Sequence, residues 1–173
     1  LAELPSYDHF KVNNENDLRE AVKFIIEEFN QQALVEQFIR GREFAVGLIG
    51  NNPPEAFPVL EIDLDDNPDA IQSVEDKKTR PRKKICPANL PDELTKKMQD
   101  QSIRAFKALQ INDFARVDIR LDEKGDFYIL EINSMASLGP TGSFPFAAKA
   151  AGYNYTELVN KMLHIAATRY FGE

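Results

Sequence analysis

Phe114-Ala115-Arg116-Val117-Asp118-Ile119-Arg120-Leu121, followed by Phe127-Tyr128-Ile129-Leu130-Glu131-Ile132-Asn133, is the stretch that decides the fold. Polar and apolar residues alternate in the first segment and over Leu130 to Asn133 of the second, as in strands whose side chains alternate faces. Glu123-Lys124-Gly125-Asp126 lies between them as a turn. The spacing predicts a hairpin with Asp118 opposite Glu131 and Arg116 opposite Asn133. The same register pairs Val117 with Ile132, Ile119 with Leu130 and Leu121 with Tyr128. One face is then dry, and the other carries two carboxylates, an amide and the guanidinium of Arg116. Opposed carboxylates repel unless a cation lies between them. Mg²⁺ suits such a set, because it takes hard oxygen ligands and shares them with substrate phosphates. Arg116 could hold a phosphoryl oxygen. A solvent-facing strand with ordinary cross-strand ion pairs explains the same pattern equally well.

Outward from the hairpin, residues 14–30 predict an amphipathic helix, with Asn14 as N-cap and Leu18, Val22, Ile25, Ile26 and Phe29 on one face. Residues 34–40 and 43–49 predict two strands joined by a tight turn at Arg40-Gly41-Arg42. A short strand is expected from Pro58 to Leu64, and a long polar loop over 65–91. Residues 92–110 predict a second helix with Leu94, Met98, Ala105 and Leu109 on one face. Ser143 to Ala151 predicts a short helix capped by Ser143. Asn154 and Glu157 mark the start of a last helix. This irregular order of strands and helices predicts an α+β fold with a mainly antiparallel sheet.

The 173 residues have 43% hydrophobic and 28% charged composition, which excludes a disordered or collagen-like chain. The formal net charge of −7 argues against a general nucleic-acid binder. No apolar stretch approaches the length that crosses a bilayer. Neither the P-loop nor the Gly-x-Gly-x-x-Gly motif occurs. His9 and His164 have no second His or Cys at ligand spacing, so no zinc site is expected. A lone cysteine, Cys86, fits a reducing compartment, and the cytoplasm is the expected location. Cys86 is expected to pack, with no histidine nearby in sequence to activate it.

The Arg-x-Asp and Glu-x-Asn pair resembles the metal-binding end of the ATP-grasp enzymes, in particular the D-alanine–D-alanine ligase branch. Leu34-Val35-Glu36-Gln37-Phe38-Ile39-Arg40-Gly41-Arg42-Glu43 is similar to that family's adenine-and-ribose segment. Cys86-Pro87-Ala88 and Ser143-Phe144-Pro145-Phe146-Ala147-Ala148 are similar to its later landmarks. The similarity runs from about Lys11 to the C-terminus.

The resemblance implies ATP-dependent ligation of a carboxylate to an amine through an acylphosphate, in peptidoglycan biosynthesis. Glu36, Gln37 and Ile39 would border the adenine, and Glu43 would accept from the ribose hydroxyls. Lys77, or its neighbour Lys78, would close over the phosphates. Asp118, Glu131 and Asn133 would hold two Mg²⁺ (or Mn²⁺) ions, with Glu131 bridging. Arg116 would stabilise the transferring phosphoryl group, and the Ser143 hydroxyl and Phe144 N–H would bind the acceptor's carboxylate. The expected partners are small-molecule amino acids, with no nucleic acid and no membrane; a homodimer is left open.

Leu1 to Tyr7 contains no glycine. The chain is therefore expected to be an ATP/Mg-binding region lacking the family's N-terminal substrate domain and glycine-rich phosphate loop, and inactive alone. After Asn133, the segment Ser134-Met135-Ala136-Ser137-Leu138-Gly139-Pro140-Thr141-Gly142 is one residue longer than the family's usual Pro-Gly turn. That leaves open a ligase for another amino acid or peptide; a nucleotide-binding module without catalysis is the alternative from another class.

Overall fold

The computed structural model describes residues 10–70 and 82–172, which fall into two units. The first comprises residues 1–39 with 71–81, and the second Arg40–Ala70 with Arg82–Glu173.

Within the first unit, α1 spans Glu15–Phe29. The Asn14 side chain accepts from the Asp17 N–H at 2.9 Å, as expected of its N-cap, and Asn30 ends the helix in the left-handed region at φ 49°. The rings of Phe10 and Phe29 meet that of Phe24 edge-on. Residues 32–40 then run without helix or strand.

The second unit is built on a sheet whose pairings are all antiparallel. Its strands are β1 (Gly41–Ile49), β2 (Glu55–Ala56), β3 (Leu60–Ile62), β4 (Lys84–Ile85), β5 (Phe114–Asp122) and β6 (Phe127–Asn133). The order is β4-β3-β1-β5-β6, with β2 paired to the end of β1. Among the described residues, three helices flank the sheet: α2 (Asp92–Ala108), α3 (Ser143–Ala150) and α4 (Tyr155–Phe171). The capping box expected at Asn154 and Glu157 is present.

Strand periodicity sends the two faces of the sheet to different cores. Phe44, Val46 and Leu48 of β1 pack with Ala115, Val117, Ile119 and Leu121 of β5 beneath Met98 and Phe106 of α2. On the opposite face, Ala45, Ile49, Leu60 and Ile62 pack against Phe144, Ala147 and Ala148 of α3 and Leu158 of α4. Gly47 lies on this face, and a Cβ there would come within 2.7 Å of the Phe57 ring and 3.2 Å of the Phe144 ring. A side chain would therefore displace α3.

Three expectations are corrected. Residues 34–40 do not form a strand or a hairpin with 43–49. Gly41 pairs with Asp122 instead of turning, at φ +148° and so close to Leu121 that a Cβ would meet its carbonyl oxygen at 1.9 Å. Both edges of β1 are taken, by β2 and β3 on one side and β5 on the other, so no edge remains for 34–40. Second, Ser143 is the first helical residue; Gly142 is the N-cap, and no side chain caps α3.

The third correction is one of register. Asp118–Glu131, Arg116–Asn133 and Val117–Ile132 pair as expected, but Ile119 faces Ile129 and Leu121 faces Phe127. A bulge at Asp118/Ile119 absorbs Leu130. Phe127 and Ile132 both pack into the core under α2, although their odd spacing would put them on opposite faces of a regular strand. The bulge restores them to one face.

Candidate active site

The face of β5 and β6 opposite α2 carries the expected polar set. Arg116 and Asp118, two residues apart on β5, point the same way and form a bidentate pair, Nε to Oδ1 and Nη2 to Oδ2, each at 2.6 Å. Across the ladder, Asn133 Nδ2 donates to Asp118 Oδ2 and to Glu131 Oε1, both at 3.0 Å. The structure thus brings Arg116, Asp118, Glu131 and Asn133 together.

Burial, reinforced by the neighbouring Glu131, pushes the Asp118 carboxyl above its ordinary value despite the guanidinium beside it. Burial pulls on Arg116 in the opposite sense, but its bonded Asp118 wins and holds its pKa above the ordinary value. The guanidinium beside Asp118 thus does not fully offset the cost of burying its charge.

This donor set fits Mg²⁺. Two carboxylates and an amide are all-oxygen ligands once the Asn133 amide turns over, and its present N–H₂ sits where a cation would neutralise both carboxylates. Among the described residues, no group of three or more His, Cys, Asp and Glu side chains is placed to hold a metal. A two-carboxylate site instead leaves coordination positions for phosphate oxygens, the usual arrangement for Mg²⁺.

Glu43 lies on the same face of the sheet, in register with Arg120, whose Nη1 donates to Glu43 Oε2 at 3.3 Å. Ser143 opens α3, and Phe144 beside it packs over Gly47, which faces Arg116 across the β1–β5 ladder. Glu36, Gln37 and Ile39 belong to the first unit, in the stretch without strand. Lys77 lies outside the described residues. Cys86 is half-buried, donates to Pro58 O at 3.5 Å, and burial pushes its thiol up to about 11, which fits a packing role.

Sequence reasoning missed two site residues. Lys84 reads as the end of the solvated run 77–84, yet it sits on β4 opposite Ile62 and donates to Thr141 O at 2.9 Å. Burial, then the charge of Arg116, lowers its pKa. Its only signal in the sequence is position, next to the apolar pair Ile85-Cys86. Arg120 reads as one more polar residue of the face, yet it is only 4% exposed.

The sheet, its flanking helices and this hairpin define an ATP-grasp fold. The family model for the D-ala D-ala ligase C-terminus matches residues 6–164, and the chain belongs to that family. It is 40% identical over 164 residues to an uncharacterized protein, y4sG, of Sinorhizobium fredii, covering 93% of this chain and 48% of that protein. It is 32% identical over 159 residues to a D-alanine–D-alanine ligase of Pelotomaculum thermopropionicum, covering 90% of this chain and 48% of the relative. The chain thus spans about half the length of these curated relatives. The crystal structure of the Bacillus anthracis D-alanine–D-alanine ligase complexed with ATP superposes with a TM-score of 0.75 at 20% identity, covering 91% of this chain and 48% of that one. Among the described residues, no helix is long and apolar enough to cross a membrane.

Proposed function

We propose that this chain is the ATP- and Mg²⁺-binding part of an ATP-dependent carboxylate–amine ligase resembling D-alanine–D-alanine ligase, with the donor-substrate domain and the glycine-rich loop supplied by the rest of the enzyme. ATP phosphorylates the donor carboxylate to an acylphosphate, and the amine of an acceptor amino acid displaces phosphate. The catalysis required is positioning and charge stabilisation. Asp118, Glu131 and Asn133 would hold Mg²⁺, which when bound sets positive charge against the ATP phosphates. Arg116, already fixed by Asp118, presents its guanidinium to the phosphoryl group without reorganising. Glu43 accepts from the ribose, Glu36, Gln37 and Ile39 border the adenine, and Lys77 meets the phosphates. Ser143 and the Phe144 N–H receive the acceptor's carboxylate. The reading carries with it a cytoplasmic location and a place in peptidoglycan synthesis.

The observation that supports it best is the joined cluster of Arg116, Asp118, Asn133 and Glu131 on one sheet face, within a chain of this family. A catalytically silent nucleotide module has no need of such a cluster. The acceptor stays open, because Lys84 adds a cation at Thr141, in the segment leading to Ser143. The deciding assay is phosphate release by the full-length protein with ATP, Mg²⁺ and a panel of amino acids. Release with D-alanine alone supports the dipeptide ligase, and release with another acceptor assigns a sister activity. No release with any acceptor would sink the catalytic reading.

A further inference from the structure

Arg120 is the one charged side chain among the buried residues of the described structure. Its neighbours on β5, Ile119 and Leu121, face the opposite core, so its burial does not follow from the apolar pattern of the strand. Burying a guanidinium is expensive unless its donors are satisfied. Here they are: Nη1 donates to Glu43 Oε2 at 3.3 Å and to Ala70 O at 3.1 Å, and Nη2 donates to Pro68 O and Ala70 O, both at 3.2 Å. The Glu43 side chain is itself only 17% exposed. Its Oε2 is taken by Arg120, and its Oε1 receives no hydrogen bond among the described residues. One carboxylate oxygen is fixed and the other is presented.

We infer that Arg120 is a positioning residue for nucleotide recognition: by holding Glu43 Oε2 and the carbonyls of Pro68 and Ala70 together, it aims Glu43 Oε1 at the ribose hydroxyls. The inference rests on the reading of Glu43 as the ribose acceptor. A guanidinium spans one carboxylate and two carbonyls because its donors form a rigid planar fork, which the compact ammonium of lysine cannot reproduce. The alternative is a plain structural staple between β5 and residues 68–70. The two roles differ in what they do to ribose discrimination, which a staple leaves alone.

The test compares ATP with 2′-deoxy-ATP in the full-length protein, as a ratio of Kd values by calorimetry and of kcat/KM values. Removing a charged acceptor should shrink the preference for ATP, so Glu43→Gln is expected to lower the ratio about tenfold. Arg120→Lys, which keeps the charge, should lower it about threefold or more, and should add nothing in the Glu43→Gln background. Arg120→Met should do the same where it folds; Arg120→Lys, with folding verified by its thermal transition, is the deciding variant. An unchanged ratio in folded Arg120→Lys, with a lowered ratio in Glu43→Gln, overturns the inference and leaves the ribose reading standing. An unchanged ratio in Glu43→Gln removes both.

Discussion

The two faces of one hairpin behave as different materials. Toward α2, Val117 and Ile119 are fully buried among Phe44, Val46, Met98 and Phe106. On the reverse, one residue along the same strand, Asp118 is half-buried, beside a carboxylate and a guanidinium. The first face obtains its stability from removing apolar surface from water and from close packing. The second gives stability up, since a half-buried carboxyl lies beside a like charge. On the proposed function, the alternation of a single strand separates stability from function, and mutations on the two faces should fall into separate classes.

The sharpest separation lies in turnover. In the full-length protein, Asp118→Ala and Glu131→Ala should lower kcat on the order of a thousandfold or more, as loss of electrostatic transition-state support does. The thermal transition of Glu131→Ala without metal should nevertheless lie close to that of the parent, because it removes one of two opposed carboxylates; that of Asp118→Ala should lie lower, because Arg116 also loses its bidentate partner. A large loss of thermal stability in Glu131→Ala would make it an ion-pair residue and erase the distinction. Next comes the dry face: Phe106→Ala should cost about 3–5 kcal/mol of stability by denaturant titration while the folded fraction keeps its kcat.

How much of this contrast was legible follows from what alternation can encode. The opposition of Asp118 and Glu131, the four-residue turn and the β5 side of the dry face follow from period-two patterning, whereas on β6 the pattern puts Leu130 and Tyr128 where Ile129 and Phe127 stand. The bulge was not legible from that pattern, because Leu130 ends the apolar run Phe127 to Leu130 and gives no sign that it stands outside the ladder. Only the odd spacing of Phe127 and Ile132 recorded it. The strand expected at 34–40 failed for a non-local reason: its composition is that of a strand, but β1 had no free edge. Arg120 and Lys84 were hidden because a charged residue reads as solvated until the chain that covers it is known. The roles of Glu36, Gln37, Ile39, Lys77 and Ser143 came from family resemblance, and nothing in their local patterning carried them.

Ser143 gives a smaller, cleaner test than its sequence suggested. It does not cap α3 through its side chain, so Ser143→Ala should shift stability by less than the roughly 1 kcal/mol of a lost N-cap. If it binds the acceptor's carboxylate, the KM for the amino acid should still rise about tenfold while that for ATP stays put. An unchanged amino-acid KM would confine Ser143 to the fold.

The smallest effect is a slope. The folded-state pKa of Asp118 lies above its ordinary value of 3.8, so its contribution to stability is present in acid and is lost as pH rises through that raised value. In metal-free protein, the stability of the parent relative to Asp118→Asn should therefore decline with rising pH from about 4 upward, as read from denaturant midpoints. A difference that grows with pH would mean that the Arg116 pair outweighs burial.

The bulge at Asp118/Ile119 also bears on how this molecule avoids its own kind. Among the described residues, β6 is one outer strand and exposes Tyr128, Ile129 and Leu130, a combination that would ordinarily invite another chain to dock edge to edge. A two-residue β4 that carries Lys84 guards the other side. An incoming strand finds too few contiguous sites at β4, and at β6 a twisted backbone whose rhythm breaks near the middle. The kink that aligns Phe127 with Ile132 on one face therefore also makes β6 a poor template for an added strand.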